Sequence, residues 1–562
     1  MAACPVALAQ ALRDPRLRVE PFVQGLVQPT TFCFIGPRGL LVCQKGDGTV
    51  HWIKDGVDRG KALDVDVCNA VDAGLVGIAA DPNFATNHHV FVVYSASSTG
   101  GDTPYPGQWS DHRLERYRWN GRALCNGSGP LFAIPADPTQ LAGLGHSQGP
   151  IRFGPDGLIY GQIGDHGRGL IGSGKQRVEQ NTAPSGSALA GAIWRVAPDG
   201  SIPADNPFLG EPDASFHPWF SYGLRNGFGL AFDPLTGALW DTENGPDVYD
   251  EVDLVVKGMD SGWLEIMGPD SRDARYVENG LGTFDATDLV LLKNAVYADP
   301  VLSFRDPIGI TALCFLRSDL FPEELRDVLL FGDTNFGALY GARPTADRRG
   351  LRLTGGLADR VADSATERLA LEFGSGFPIT TDLEVGPDGY LYAVLFGAGA
   401  IVRIRPVTDL VEVGSLAPSA GIAASGALGD LGASDDRRYE LVRPSGSAAP
   451  IRATAAFTLQ AEDPRRVELA IEARADGAGA LQAIALLDPT SGGWVQLELA
   501  TIGTTDTARR VAIPWPSRFI DATTRTIAVR VSWSPLPAGS GAPPAPPVTI
   551  GLDQLRLEIA YP

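Results

Sequence analysis

The sequence predicts an all-β fold. Before residue 406, one phrase recurs six times: an apolar residue, a turn built from Gly, Pro or Asp, then alternating aromatic and aliphatic residues. The chain also holds 67 Gly and 43 Pro in 562 residues, which indicates many tight turns. Helical periodicity is almost absent in this part, and "SATERLALEF" at 364–373 is the best short exception. These three observations favour short strands joined by turns.

The spacing of the recurring phrase predicts a propeller. The copies lie at 34–53, 78–96, 153–165, 232–245, 320–342 and 385–406. Each copy reads as a strand, a Gly-containing turn and a second alternating strand, often followed by a third strand that ends in Arg. Repeats of three or four short strands that cannot bury both faces alone are typical of propeller blades. We therefore predict a six-bladed β-propeller over residues 16–406, preceded by a disordered leader at 1–15.

The composition changes after Pro406, which indicates a second domain. Residues 407–425 are rich in small residues and are predicted to form a linker. Alternating stretches such as "RVELAIEARA", "WVQLELATI" and "TIAVRVSWS" follow. They predict an antiparallel, jelly-roll-like β-sandwich over residues 426–562. This segment lacks histidine, which favours a binding or packing accessory over a catalytic unit.

Charge and cysteine content exclude several classes of protein. The formal net charge is −20, so the phosphates of nucleic acid would be repelled. No apolar run approaches the roughly 20 residues that span a bilayer, so no transmembrane segment is expected. The six cysteines form no C-x-x-C motif, and whether Cys33 and Cys43 form a disulfide stays open. Cys4 is a candidate lipid-attachment residue left by a lipoprotein-type cleavage site, the alternative being a plain disordered leader.

The stretch "GHSQG" at 145–149 fits the G-x-S-x-G nucleophile elbow of esterases. That motif needs a helix after the serine, and here Pro150 and the "GPDG" turn at 154–157 leave no room for one. The candidate catalytic residue is therefore His146, at a Gly-rich loop before a predicted inner blade strand. Asp165 follows the next strand pair and is placed to approach the imidazole and fix its tautomer.

With these residues identified, the chain resembles a known family, the soluble quinoprotein sugar dehydrogenases of the glucose/sorbosone dehydrogenase type. The resemblance runs through residues 20–406. It is carried by "GLVGIAADPNFATN" at 74–87, "GHSQGPIRFGPDGLIYGQIGDHGRG" at 145–169, "GAIWRVAPDGSIPADNPF" at 191–208 and "SYGLRNGFGLAFDPLTGALWDTENGPDVYDEVDLVVKGMDSGW" at 221–263.

Members of that family are six-bladed propellers that hold pyrroloquinoline quinone (PQQ) and calcium. The resemblance implies an oxidoreductase that oxidises an aldose sugar or a related alcohol or aldehyde, with hydride passing to the quinone and then electrons to an external acceptor. It also implies a location outside the cytoplasm, extracellular or periplasmic.

The resemblance implies roles for particular residues. His146 matches the catalytic base and Asp165 the carboxylate that orients it. Arg225 and Asn226 match residues placed at the quinone carbonyls, where they stabilise developing negative charge. The other implied cofactor contacts are Asp72, Gln148, Arg317 and Asn335. The implied calcium ligands or supporting residues are Gly245 and Pro246 through their carbonyls and Asp250 and Glu251 through their carboxylates, the alternative for the last two being a solvated acidic turn.

The sequence departs from the family where PQQ carboxylates need cations. The fifth-blade segment "GDTNFGALYGA" at 332–342 carries no Arg or Lys, and Asp72 adds negative charge where the family often has glutamine. Candidate replacements from other loops are Arg152, Arg168, Arg305 and Lys293. A second hypothesis therefore stands beside the enzyme: a non-enzymatic propeller that binds carbohydrate or protein and has lost the quinone clamp.

Overall fold

The structure is a computed structural model that divides the chain into two compact units. The first comprises Met1–Ser318 with Leu325–Arg405, and the second comprises Asp319–Glu324 with Pro406–Pro562. The residues that the structure describes are 10–136, 144–147, 149–166, 190–263, 265–272, 285–406, 409–419, 422–432, 438–443, 450–459, 464, 466–476, 479–534 and 549–560.

Nearly all regular structure is β. The strands of the first unit are β1 Ala11–Leu12, β2 Leu17–Gln24, β3 Pro29–Phe34, β4 Gly39–Gln44, β5 Thr49–Lys54, β6 Val57–Asp64, β7 Leu75–Ala80, β8 His89–Ser97, β9 Trp109–Trp119, β10 Leu124–Cys125, β11 Pro130–Pro135, β12 Ile151–Phe153, β13 Ile159–Ile163, β14 Ala192–Val196, β15 Trp219–Tyr222, β16 Gly227–Phe232, β17 Leu239–Glu243, β18 Asp250–Val255, β19 Met259–Asp260, β20 Val296–Tyr297, β21 Leu302–Phe304, β22 Ile310–Leu316, β23 Val328–Asp333, β24 Ala338–Ala342, β25 Val361–Ala362, β26 Glu372–Ser375, β27 Thr380–Val385, β28 Leu391–Leu395 and β29 Ala400–Pro406.

Helices are short. The α-helices among the described residues are α1 Phe84–Asn87 and α2 Ala365–Ala370, and the remaining helices there are short 3₁₀ helices. Helix α2 lies within the stretch whose periodicity predicts a helix, and the Ser364 hydroxyl caps its N-terminus by accepting the Glu367 N–H. None of the described helices has the length and apolar character that crossing a bilayer requires.

The strands of the first unit pair into six sheets within the described residues. In order of neighbours these are β3-β4-β5-β6, β10-β9-β8-β7 with β11 also on β9, β12-β13-β14-β15-β19-β20, β16-β17-β18-β21-β25, β1-β26-β24-β23-β22 and β2-β29-β28-β27. Each recurring sequence phrase contributes to a different sheet. The N-terminal strand β2 completes the sheet formed by the last strands of the unit, which makes the arrangement propeller-like.

The turn in the recurring phrase explains why the copies fold alike. In the third copy, Gly157 adopts a positive φ of 77°, which glycine tolerates without steric cost. The Asp156 carboxylate accepts the Leu158 N–H at 3.1 Å and the Tyr160 hydroxyl at 2.8 Å. The sixth copy repeats this with Asp388, which accepts the Tyr392 hydroxyl at 2.8 Å. One turn chemistry thus fixes the hairpin in both sheets.

The second unit contains two further sheets. Its strands are β30 Asp409–Glu412, β31 Ser415–Pro418, β32 Ala423–Ser425, β33 Tyr439–Val442, β34 Ile451–Thr458, β35 Arg466–Ala475, β36 Ala480–Leu487, β37 Trp494–Ile502, β38 Thr507–Ile513, β39 Thr526–Ser534 and β40 Thr549–Ala560. The sheet orders are β32-β33-β40-β35-β38, with β30 also on β40, and β31-β34-β39-β36-β37. Buried residues of both sheets, including Phe457, Leu557 and Trp533, form one hydrophobic cluster.

Two segments differ from the sequence-based boundaries. The stretch 407–425, expected as a linker, supplies β30, β31 and β32 to the second unit's sheets, because backbone pairing with β40, β34 and β33 respectively fixes these strands. The expected leader at 1–15 includes β1, which pairs with β26. Cys33 and Cys43 are free buried thiols and form no disulfide, and Cys4 lies outside the described residues.

Candidate active site at the first cavity

A cavity of about 440 Å³ lies where the first strands of all six sheets begin, and its size is within the range of ordinary ligand pockets. The six strands are β3, β7, β12, β16, β22 and β27, each at the end of its sheet. The lining residues are Gln28, Thr30, Thr31, Lys45, Val71, Asp72, Val76, Gly149, Pro150, Asn226, Phe228, Asn244, Thr311, Thr334, Ile379, Thr381 and Phe396. Hydroxyl and amide groups therefore dominate its polar surface.

His146 lies five residues before β12 and close in sequence to Gly149 and Pro150, which line the cavity. Its backbone adopts a left-handed conformation with φ of 54°, which is uncommon for a residue other than glycine. The His146 N–H donates to the Asp72 carboxylate at 2.8 Å, and this contact supports the unusual backbone. Asp72 itself lines the cavity. Asp72, which the resemblance implies as a cofactor contact, thus holds the backbone of His146, the candidate base.

The imidazole of His146 is held by a buried carboxylate. His146 Nδ1 and Asp165 Oδ1 lie 2.6 Å apart, and the other Asp165 oxygen accepts the Trp263 indole N–H at 3.0 Å. The Asp165 side chain is only 4% exposed, whereas that of His146 is 18% exposed. An ionised carboxylate accepts only, so Nδ1 carries the proton that it donates to Asp165. The lone pair of the imidazole is then on Nε2.

Arg225 joins the same cluster through two contacts. Its carbonyl accepts the Asp165 N–H at 2.8 Å, and its guanidinium stacks on the Trp263 ring at 5.6 Å. Arg225 Nη1 donates to the carbonyls of Asn244 at 2.8 Å and Gly245 at 3.0 Å. The structure therefore brings together the His–Asp pair, the arginine and the Gly245 turn. None of these residues lines the cavity, and they adjoin it through the lining residues Asp72, Asn226 and Asn244.

Asn226 and Asp250 organise the backbone around that turn. Asn226 lines the cavity, and its carbonyl accepts the Asn244 N–H at 2.9 Å. The Asp250 carboxylate accepts N–H groups from Gly245 at 3.0 Å and Ile310 at 2.9 Å. Both Asp250 oxygens are thus engaged with backbone, so this residue supports the turn instead of facing the cavity. Pro246 is half-buried beside Gly245.

Glu251 belongs to a separate group of carboxylates, which we call the acidic cluster: Asp241, Glu243, Glu251 and Asp253. On the paired strands β17 and β18, Asp241 lies opposite Asp253 and Glu243 opposite Glu251. All four are at most 2% exposed. Carboxylate oxygens of the last three residues of the cluster lie within 4.8 Å of one another. Both oxygens of Asp253 and one of Glu251 lack a hydrogen-bond partner among the described residues.

Like charges directly opposite one another destabilise a sheet, so the acidic cluster requires protons or a cation. Burial raises the pKa of Asp241 to about 7 and that of Glu251 to about 8. Burial, reinforced by the neighbouring carboxylates, raises the pKa values of Glu243 and Asp253 well above their ordinary range. A divalent cation that takes hard oxygen ligands would remove this electrostatic cost.

The basic residues proposed from sequence as a cofactor clamp lie elsewhere. Arg317 follows the last residue of β22, about 20 Å along the strand from the cavity, because an antiparallel strand rises about 3.4 Å per residue. Its guanidinium contacts Asp327 at 2.8 Å and lines a second cavity of about 770 Å³ at the far ends of the first strands. Arg152 also lines that second cavity and contacts Asp382 at 2.5 Å.

The remaining candidates do not line the first cavity either. Asn335 donates through its side-chain amide to the Pro307 carbonyl at 3.0 Å, while its neighbour Thr334 reaches the cavity wall. Arg305 and Lys293 are exposed and outside the lining. Gln148 and Arg168 lie outside the described residues.

Sequence reasoning missed Lys45, which lines the cavity. It follows β4, and β4 runs antiparallel to β3, so the end of β4 returns to the edge where β3 begins. That topological rule could have found it, because Thr30 and Thr31 near the start of β3 also line the cavity. The single Lys in the "CQKGDG" turn was the available signal.

These features define a propeller-like β protein whose central cavity opens beside an oriented His–Asp pair and an arginine. The chain belongs to the family described as Glucose / Sorbosone dehydrogenase, which it matches over residues 26–403. It is 24% identical over 404 residues to the aldose sugar dehydrogenase YliI of Escherichia coli, covering 69% of this chain and 93% of that one.

Two further similarities agree. The quinoprotein glucose dehydrogenase B of Acinetobacter calcoaceticus is 31% identical over 210 residues, covering 35% of this chain and 40% of that protein. A solved structure from Thermus thermophilus, described as a putative oxidoreductase (glucose dehydrogenase), superposes with a TM-score of 0.51 at 25% identity and covers 69% of this chain and 99% of that chain. The Escherichia coli and Acinetobacter calcoaceticus proteins are both named as sugar dehydrogenases.

Proposed function

We propose that this protein oxidises an aldose sugar, or a related alcohol or aldehyde, with PQQ as the hydride acceptor and His146 as the general base. The observation that carries the proposal is the His146–Asp165 pair, which shares one contact network with Arg225 beside the cavity. We further propose that the six sheets of the first unit are propeller blades, that the two sheets of the second unit form a sandwich, and that the protein works outside the cytoplasm with an external electron acceptor.

The chain's own residues supply the proton chemistry. Asp165 holds the proton on Nδ1 of His146, so Nε2 is free to take the proton from a substrate hydroxyl. The partial exposure of the imidazole lets a substrate reach it. Trp263 orients Asp165 by donating its indole N–H to the second carboxylate oxygen. Arg225 would supply a fixed positive charge to stabilise the negative charge that the acceptor gains with the hydride.

The cavity fits a planar, polar cofactor. PQQ supplies a hydride acceptor when bound. The lining offers amide groups from Gln28, Asn226 and Asn244 and several threonine hydroxyls, all suited to carbonyl and carboxylate oxygens. Phe228 and Phe396 supply flat apolar surface.

Calcium fits the acidic cluster better than the Gly245 turn. The Gly245 carbonyl accepts the Arg225 guanidinium, and a second cation there would meet that positive charge. The oxygens of Glu243, Glu251 and Asp253 instead offer three hard donors with no cation among their described contacts. We propose that calcium binds these three carboxylates and thereby stabilises the blade that carries Arg225 and Gly245.

The test is reconstitution of the purified protein with PQQ and calcium, followed by dye reduction with a panel of aldoses. We expect turnover in the wild type and a loss of about 10²–10⁴-fold in His146→Ala, the range for a general base. His51→Ala is the matched control, because His51 forms a His–Asp pair with Asp58 at 2.8 Å but contacts Gln44 on its own sheet instead of the network of Asp165 and Arg225. Calorimetric binding of sugar without any turnover would instead support the non-enzymatic binding protein.

A further inference from the structure

The cavity has an unusual charge balance. Among its described lining residues, Lys45 and Asp72 are the charged ones. Asp72 accepts the His146 backbone N–H and so is committed to the loop of the base. Lys45 donates from Nζ to the Asn69 carbonyl at 3.2 Å. An ammonium has three donors, so this bond to a neutral carbonyl leaves capacity for an anionic ligand.

Lys45 is held in place by its surroundings. Its backbone N–H donates to the Gln28 carbonyl at 3.0 Å, and its carbonyl accepts the Leu75 N–H at 3.1 Å. Gly74 packs against the lysine stem, where an added Cβ would overlap the Lys45 carbonyl and come within 2.9 Å of its Cγ. Gly74 also has φ of 140°, a conformation that favours glycine. The stem therefore runs along a fixed path to the cavity wall.

The energetics favour a carboxylate partner. Burial lowers the pKa of Lys45 from its ordinary value, and the nearby Asp72 carboxylate opposes that effect. A partly desolvated ammonium gains more from an anionic ligand than an exposed one does. The cavity wall on the side of β22 and β23 offers the hydroxyls of Thr311 and Thr334 and no cation among the described lining residues. The positive charge thus comes from the first sheet, whereas the fifth-blade segment carries no Arg or Lys.

We propose that Lys45 is the residue that binds a carboxylate of the quinone cofactor, in place of the basic residues missing from the fifth-blade segment. This inference rests on the proposed function. It assigns the cofactor's anionic edge to the side of the cavity formed by Lys45 and Gln28, and it leaves the proton chemistry to His146.

The experiment measures the dissociation constant of PQQ for the apoprotein by equilibrium dialysis at fixed calcium, which requires no turnover. Lys45→Met keeps the length and apolar stem but removes the charge, and we expect binding about 10- to 100-fold weaker, as for loss of one charged hydrogen bond. Lys45→Arg should restore most of the affinity because it restores the charge. Lys61→Met is the control, since Lys61 is an exposed lysine of the same sheet paired with Asp64.

The outcomes separate the two proposals. If wild-type protein binds no PQQ, the proposed function fails. If wild type binds and Lys45→Met binds equally well, the function stands and the role of Lys45 is refuted. Circular dichroism and thermal melting verify that the variants are folded. As a readout on the unaltered protein, bound PQQ should protect Lys45, but not Lys61, from acetylation measured by peptide mass spectrometry, and equal acetylation with and without PQQ would also refute the inference.

Discussion

Replacing Asp165 by Asn tests the proton chemistry most directly. The Asp165 carboxylate accepts from His146 Nδ1 at 2.6 Å and from the Trp263 indole at 3.0 Å. An Asn side chain has one acceptor and one donor group. If its oxygen accepts the indole N–H, its amide donates to Nδ1, and the imidazole proton must move to Nε2. The nitrogen that faces the substrate then has no lone pair to accept a proton.

The expected loss follows from that change of tautomer. A positioned general base contributes about 10²–10⁴-fold in rate, which is about 2.7–5.4 kcal/mol at 1.36 kcal/mol per tenfold. The folded state should lose only about 1.5–3 kcal/mol for one charged hydrogen bond. We therefore expect kcat to fall at least 100-fold while PQQ affinity and the cooperative unfolding transition are retained.

The assay is dye-linked turnover of the PQQ-reconstituted enzyme over a pH series. Trp263→Phe is the matched control, because it removes one donor to Asp165 but keeps the carboxylate, the His146 contact and an aromatic ring under Arg225. We expect this control to lose less activity than Asp165→Asn, because the carboxylate that holds the proton on Nδ1 of His146 is still present. If Asp165→Asn keeps wild-type kcat and pH dependence, Asp165 does not set the tautomer and the assignment of His146 as base is refuted.

Two other substitutions test the buried charges. Burial raises the pKa of Glu384 to about 8, against the lowering effect of Arg152. Its contribution to stability is therefore complete below the pKa of the unfolded chain, about 4.3, and is lost as the pH rises through about 8. Glu384→Gln should flatten the fall in Tm between about pH 5 and pH 8.5, and parallel Tm curves for the variant and the wild type would contradict this. For the acidic cluster, Asp253→Asn should raise the Tm without calcium, because it removes one of the opposed carboxylates. The same variant should lose most of the stability gained on adding calcium, which in the wild type is about 2.7 kcal/mol at a calcium concentration 100 times the dissociation constant. Equal calcium-induced Tm shifts in both proteins would exclude these carboxylates as ligands.

The β-rich fold could be predicted because its signals are local. Each recurring phrase carries its own turn, as the Asp156 and Asp388 contacts show, and period-two alternation identifies the strands that follow. The segment 407–425 could not be predicted in this way. Its small residues carry little hydrophobic contrast, and its strands are fixed by pairing with distant ones such as β34 and β40.

The residues of the candidate site likewise divide into those that sequence motifs predict and those that only the three-dimensional contacts reveal. His146, Asp165 and Arg225 lie in long motifs, and the structure joins them through contacts that the motif order alone does not reveal, such as the Trp263 indole on Asp165. Arg317 was predicted at the cofactor site because the sequence shows that a cation follows a strand, but not which of the two cavities the end of that strand faces.

Strand direction explains both why Arg317 was wrongly predicted at the cofactor site and why Lys45 was missed. The first strand of every sheet begins at the 440 Å³ cavity and ends at the 770 Å³ cavity. A residue that follows a first strand, such as Arg317, therefore lies at the 770 Å³ cavity, away from the candidate site. A residue that follows a second strand lies back at the 440 Å³ cavity, and Lys45, which follows β4, is such a residue. A cation for an anionic ligand is therefore expected after the second strand of any of these sheets. In this chain the end of β4 is where a lysine meets that condition.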